Sequence, residues 1–207
     1  MKVALLPVVL MATMINVHSQ SPTPAPPGLP ATVIPPRVIN DPSAKPSGWQ
    51  RYQFGANPGF SVILPSAPVG SSEVAGVQVI NNYMSSTGSV VYAVTRVDHI
   101  ELSLETASEK ARSDYFKGFF QGFAKGFEGP PSGQTQDTVH LLDVTKVRAA
   151  GRDGFEQRLT YKTWLGRGQM IFVGDSAFCV IAMWLPSVPA ADYDSFFESF
   201  RIERAAN

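Results

Sequence analysis

The residues best suited to chemistry in this 207-residue chain are few and scattered. Asp98, His99 and Glu101 lie close together, and His140 and Asp143 form a second small group. Imidazole and carboxylate are ligand types for zinc and other divalent ions, so these five are the candidate metal set. Their spacing argues against it, because the chain has neither an HExxH helix pair nor a cysteine knuckle. In a strand, Asp98 and His99 also point to opposite faces. They read as solvated residues at strand ends, and no metal or other cofactor is expected. Cys179, the only cysteine, sits in the apolar run Phe178 to Trp184 and reads as an inert core residue rather than a nucleophile. Gly174-Asp175-Ser176-Ala177 lacks the GxSxG pattern that presents a hydrolase serine, and reads as a hairpin turn. Gly166-Arg167-Gly168 is too short to mark a phosphate loop. Arg152, Arg158 and Arg167 could gather into a small anion-binding patch, although ordinary surface ion pairs account for them equally well. No catalytic residue is assigned.

The most unusual local sequence is a repeat of glycine followed by phenylalanine every fourth residue, at 118-119, 122-123 and 126-127. Each glycine inside a helix costs about 1 kcal/mol relative to alanine, so three cost about 3 kcal/mol and something must offset them. Close packing of a helix on a sheet is one account. A surface for an apolar ligand or a protein partner is the other, and its residues are Phe116, Gly118, Phe119, Phe120, Gly122, Phe123, Gly126 and Phe127. Lys117 and Lys125 interrupt this stretch, so it does not read as a membrane-spanning GxxxG helix.

The N-terminus bears on where such chemistry would operate. Lys2 precedes an apolar run from Val3 to Ile15, and Val17-His18-Ser19 suits a cleavage site. Residues 1–19 read as a signal peptide, too short for a helix that needs about 20 residues to cross a bilayer. The expected location is extracytoplasmic, secreted or periplasmic, with no transmembrane span after cleavage. The chain carries 17 basic and 17 acidic residues, a balance that gives no electrostatic footprint for nucleic acid. One cysteine forbids an internal disulfide, so an exported domain must hold together by its core alone.

Residues 20–47 read as a proline-rich, disordered linker, since nine of the 17 prolines fall there. Val38-Ile39 is apolar enough to lie against the following domain as a short strand. Residues 48–207 form a single globular domain. Trp49 to Phe54 alternates weakly, and Gly59 to Leu64 reads as a strand closed by Pro65. Pro68 and Gly70-Ser71-Ser72 read as a turn. Alternation from Val77 to Tyr83 and from Val90 to Val97 predicts a hairpin. Ser103 is the expected N-cap of the main helix, with Glu105 in its first turn, and Gly129-Pro130-Pro131 ends it. Four strands follow, over 138–149, 154–163, 168–173 and 177–185, joined by short turns that force antiparallel neighbours. The last is apolar on both faces, so it should be central and covered by a helix on each side. Pro189 to Phe200 supplies the second helix. The fold class is α+β: an antiparallel sheet of about six to seven strands sandwiched by helices.

Several of these segments carry a family resemblance. Gly59 to Pro65, Pro68, the turn and strand start Gly151-Arg152-Asp153-Gly154-Phe155-Glu156, the basic turn at Arg167 and the closing run Ser195 to Arg201 resemble exported bacterial domains of the PsbP-like family. The resemblance spans Trp49 to Glu203 and rests on short structural motifs. It implies an antiparallel sheet between helices and a non-catalytic accessory role, as in the best-known members. No binding residue carries over, because no functional motif matches residue by residue.

The sequence therefore points first to an exported, non-enzymatic accessory or binding domain whose partner is an envelope protein or a small apolar ligand. An enzyme of hydrolase type built around His99 and His140 is one alternative. A structural envelope component is another.

Overall fold

Strand β10 (Ser176–Trp184) is buried at every one of its nine residues, and the rest of the molecule is layered on its two faces. The computed structural model describes residues 35–42, 44, 48–55, 58–75, 77–100, 103–128 and 138–203. The expected signal peptide at 1–19, the expected helix stop at Gly129-Pro130-Pro131 and the candidate ligand Glu101 lie outside the described residues, as does the side chain of Phe127. Before β10 in the chain come β1 (Arg37–Ile39), β2 (Gln50–Phe54), β3 (Gly59–Leu64), β4 (Val69–Ala75), β5 (Gln78–Ser86) and β6 (Val90–Asp98). Helix α1 (Glu109–Glu128) and strands β7 (Val139–Ala149), β8 (Arg152–Tyr161) and β9 (Trp164–Val173) follow. After β10 the chain ends in α2 (Ala190–Ser199) and β11 (Arg201–Glu203).

The strands form two antiparallel sheets, a seven-stranded one in the order β4-β5-β6-β10-β9-β8-β7 and a four-stranded one in the order β1-β2-β3-β11. The α+β class and the seven-stranded sheet agree with the sequence, and β10 is the middle strand. The cover differs from expectation. One face of the large sheet packs on α1 through Phe116, Phe120, Phe123, Phe155, Met170, Cys179 and Ile181. The other is covered by α2 together with the small sheet, through Phe54, Phe60, Val62, Phe178, Val180, Phe196 and Phe200. The reason is the density of aromatic residues in β2 and β3. Phe54 and Phe60 stack at 4.7 Å, and Phe60 meets Phe178 edge-on at 5.6 Å. A strand buried at all six positions, as β3 is, must be covered on both sides.

Three local expectations are corrected. Gly70-Ser71-Ser72 is no turn: it lies inside β4, drawn into the sheet by pairing with Asn81 to Tyr83 of β5. Helix α1 starts at Glu109 rather than after Ser103, because the amides of Thr106 and Ala107 both bond the Ser103 carbonyl at 3.1 Å and close a separate turn. Ser108 is the effective cap, its Oγ accepting from the Ala111 amide at 3.2 Å. Glu105 instead accepts from the Gly174 amide at 2.6 Å and from Arg152, so it clasps the β9–β10 turn. The basic turn expected at Arg167 is strand instead: Arg167 lies inside β9, paired with Arg158, and the β8–β9 turn falls at Lys162-Thr163.

Within the proline-rich tract, Arg37–Ile39 pair with Arg51–Gln53, so packed structure begins ahead of Gly48. Arg51 fixes this corner. Its Nε donates to Asp41 at 2.6 Å, and its Nη1 donates to Ser61 Oγ at 3.2 Å and to the Ser199 carbonyl at 2.8 Å. A single guanidinium thus joins the incoming segment, the small sheet and the C-terminal end of α2, where a cation is favoured.

Candidate functional site

The two histidines are far apart. His99 follows β6, whereas His140 lies in β7, and three strands separate β6 from β7 in the sheet. Four inter-strand spacings amount to about 19 Å. The register adds to this: His140 pairs with Thr160, Thr160 with Leu165, Leu165 with Trp184 and Trp184 with Val90, at the end of β6 remote from His99. Metal ligands sit about 2 Å from the ion, so these side chains cannot share one. Among the described residues, no group of three or more His, Cys, Asp or Glu is positioned to hold a metal. His99 lies 3.8 Å from Asp175 at the surface, and Asp98 accepts from Arg96 at 2.7 Å and Ser176 at 2.6 Å. Gly174-Asp175-Ser176 makes the β9–β10 turn. Burial pushes the Cys179 thiol well above its ordinary pKa, the opposite of what a reactive thiolate needs.

The phenylalanine-glycine helix divides between two environments. Phe116, Phe120 and Phe123 give their rings to the core, Phe119 is partly buried against it, and Gly118, Gly122 and Gly126 are half-buried. The three buried rings are spent on holding α1 to the sheet. Gly168 accepts the Phe120 ring: a Cβ there would stand 2.7 Å from Phe120 Cε1 and closer still to Cζ. A glycine that permits close approach is therefore on the sheet, at Gly168.

The arginines separate in an informative way. Arg152 is occupied by Glu105 at the β9–β10 turn. Arg158 and Arg167 are direct cross-strand partners on β8 and β9, so both guanidinium groups rise from the same face. Like charges directly opposite one another are unfavourable in a sheet, and here Glu156, beside both arginines, and Asp194, on Arg167, offset them.

That groove, about 410 Å³, lies where α2 stops covering β7, β8 and β9. Leu142, Leu165 and Thr160 form its walls with the two arginines, and Trp184, Tyr193 and Asp194 close one side. Trp184 and Tyr193 stack at 3.8 Å with their planes 13° apart, fixing α2 against the end of β10. Leu142 reaches the groove because β7 bulges between Leu141 and Val144, and the buried Gln157 amide holds the bulge open by donating to the Leu142 carbonyl at 2.9 Å. Leu142 and Leu165 remain 51% and 40% exposed.

Electrostatically the two arginines are unequal. Arg167 is held on three sides: its Nη2 donates to Asp194 at 2.9 Å, its guanidinium lies 4.0 Å over the Phe197 ring, and Glu156 stands 3.7 Å from Nε. That buried Nε has no hydrogen-bond partner. Arg158 is 69% exposed, and among the described residues its ion pair is with Glu156, at 3.9 Å. Glu156 already accepts from Gln169 at 2.8 Å, so Arg158 keeps most of its hydrogen-bonding capacity for something else. His140, paired with Thr160, stands on the same face at the rim.

No known family model matches the chain, and no curated protein matches it significantly. Of the groove residues, only Arg158 and Arg167 stood out in the sequence. Leu142, Leu165, Trp184, Tyr193 and Asp194 did not, because they come together only through the register and the bulge.

Proposed function

We propose that the chain is an extracytoplasmic accessory domain of the PsbP-like kind that binds a small amphipathic anion in the groove between α2 and β7–β9. The observation that carries this reading is the cross-strand pair Arg158–Arg167, set among exposed leucines. Arg158 is 69% exposed and loosely held by Glu156 at 3.9 Å, so its donors can turn to an anion in the groove, and Leu142 and Leu165 offer an apolar wall for the rest of the ligand. Arg158 supplies the mobile contact, and Arg167, already oriented by Asp194 and Phe197, supplies the fixed one. The leader at 1–19 and the proline-rich tract at 20–47 support delivery outside the cytoplasm on a tether.

The test uses 4-phenylbutyrate as a probe, with its uncharged amide as the control, in calorimetric titrations. The carboxylate binds and the amide does not. Arg158→Gln weakens binding at least about tenfold, since a hydrogen bond to a charged group contributes about 1.5–3 kcal/mol. The same substitution changes the stability of the unliganded protein little, because the exposed Arg158 makes a long ion pair with Glu156 at 3.9 Å that contributes at most about 1 kcal/mol. Unchanged binding together with a loss of stability would mean that the pair is structural, and would sink the proposal.

A further inference from the structure

The large sheet ends in two edges of different character. At β7 the ladder carries a bulge and the basic residues Lys146 and Arg148, all of which discourage another strand from pairing. The edges of the small sheet, β1 and β11, are three residues each. At β4 the edge runs for seven residues, Val-Gly-Ser-Ser-Glu-Val-Ala, with no bulge, proline, lysine or arginine. Val69 and Val74 are 64% and 52% exposed. Among the described residues no strand pairs with its outer side, and a long edge of this kind offers its amides and carbonyls to any strand of matching register. Its one charge, Glu73, pairs with Ile80 and so faces the α1 side, where one carboxylate oxygen is buried without a hydrogen-bond partner among the described residues.

We propose that two copies of this chain associate by antiparallel pairing of β4 with β4 about a two-fold axis at Ser72, continuing the sheet from one copy into the other. A two-fold axis perpendicular to the sheet keeps each face continuous, so residues of like parity must oppose one another. Centred on Ser72, all of β4 is paired. Val69 of one copy lies opposite Ala75 of the other, Gly70 opposite Val74, and Ser71 opposite Glu73. The last pair brings an exposed hydroxyl donor beside the carboxylate that lacks one. Centring on Ser71 would set Val69 against Glu73, and centring on Glu73 would oppose two carboxylates. A seven-residue edge is small beside a standard interface of roughly 1,600 Å², so the association is weak and concentration-dependent.

Sedimentation of the purified protein over a concentration series up to about 1 mM, where even weak association registers, tests this. The expected result is a monomer–dimer equilibrium that Val74→Lys weakens at least tenfold while leaving the circular dichroism spectrum unchanged. Ser72→Cys should form a disulfide-linked dimer on mild oxidation, since Cα atoms directly opposite at the axis fall within bonding range. Thr145→Cys on β7 should not. Native Cys179 is buried and does not compete. A monomer throughout the series, or a dimer indifferent to Val74→Lys, overturns the proposal. A dimer sensitive to Val74→Lys but without preferential crosslinking at position 72 overturns the register.

Discussion

Gly168→Ala tests how α1 is seated. The added Cβ would stand 2.7 Å from Phe120 Cε1 and 3.2 Å from Ile181 Cγ1. Phe120 is fully buried and cannot swing away, because Phe116, Phe119 and Phe123 surround it with ring centroids at 4.9, 5.4 and 6.0 Å. Forcing extra volume into such a site costs about 1–3 kcal/mol. Alanine in a strand interior recovers roughly 0.5–1 kcal/mol of the backbone entropy that glycine loses. Two ring carbons of Phe120 closer than 3 Å place Gly168 in the upper part of that range, about 2–3 kcal/mol, so with about 1 kcal/mol recovered the net expectation is a destabilisation of about 1–2 kcal/mol. In urea, with a slope of about 2 kcal/mol per molar, the unfolding midpoint falls by about 0.5–1 M. Phe120→Leu opens a void and is itself destabilising, but it gives the new methyl group somewhere to sit. In that background Gly168→Ala should cost little, so the double-mutant cycle shows a coupling of about 1–2 kcal/mol. If Gly168→Ala is neutral or stabilising, or costs the same in both backgrounds, Phe120 does not seat on Gly168 and the account of the helix fails.

Arg51→Ala removes a part-buried guanidinium that bonds Asp41, Ser61 and the Ser199 carbonyl. It should lower stability by about 2–3 kcal/mol in urea unfolding, and Arg51→Lys should recover only part of that, since an ammonium cannot span all three acceptors. Glu105 has its pKa held below the ordinary 4.5, first by the Gly174 amide and then by Arg152. A depressed folded-state pKa gives stability that is present above pH 4.5 and lost as the pH falls through the folded value. Glu105→Gln should therefore flatten the acid limb of a pH–stability profile, and an unchanged limb would show that the clasp contributes nothing.

Much of the fold was legible because its strongest patterns are local. The alternation in β5 and β6, the turns at Gly151 and Gly174, and the uninterrupted apolar run of β10 each specify an element without reference to any other, whereas the basic turn expected at Arg167 lies inside β9. What failed to show depends on distant partners. The Gly-Ser-Ser stretch of β4 has turn composition and becomes a strand only because β5 offers it a ladder. Leu104 and Ala107 fit the helical stripe of α1, yet the Ser103 turn claims them first. The second sheet was hidden because β1 and β11 are three residues each, below any useful period. The groove was harder still. Arg158 and Arg167 were visible as residues, but their direct opposition depends on the register of β8 with β9. Leu142 reaches the groove only through a bulge, and Trp184 meets Tyr193 only through the docking of α2.

The claim that this groove is a binding site is tested most directly by mapping where a probe binds. Backbone amide shifts recorded during titration with 4-phenylbutyrate should move at Arg158, Thr160, Leu165, Arg167 and Tyr193, and remain still along the outer side of α1. Arg158→Gln should erase those shifts without altering the spectrum elsewhere. Shifts concentrated on α1 around Gly118 and Gly122, or no saturable shifts in the groove, would contradict the account.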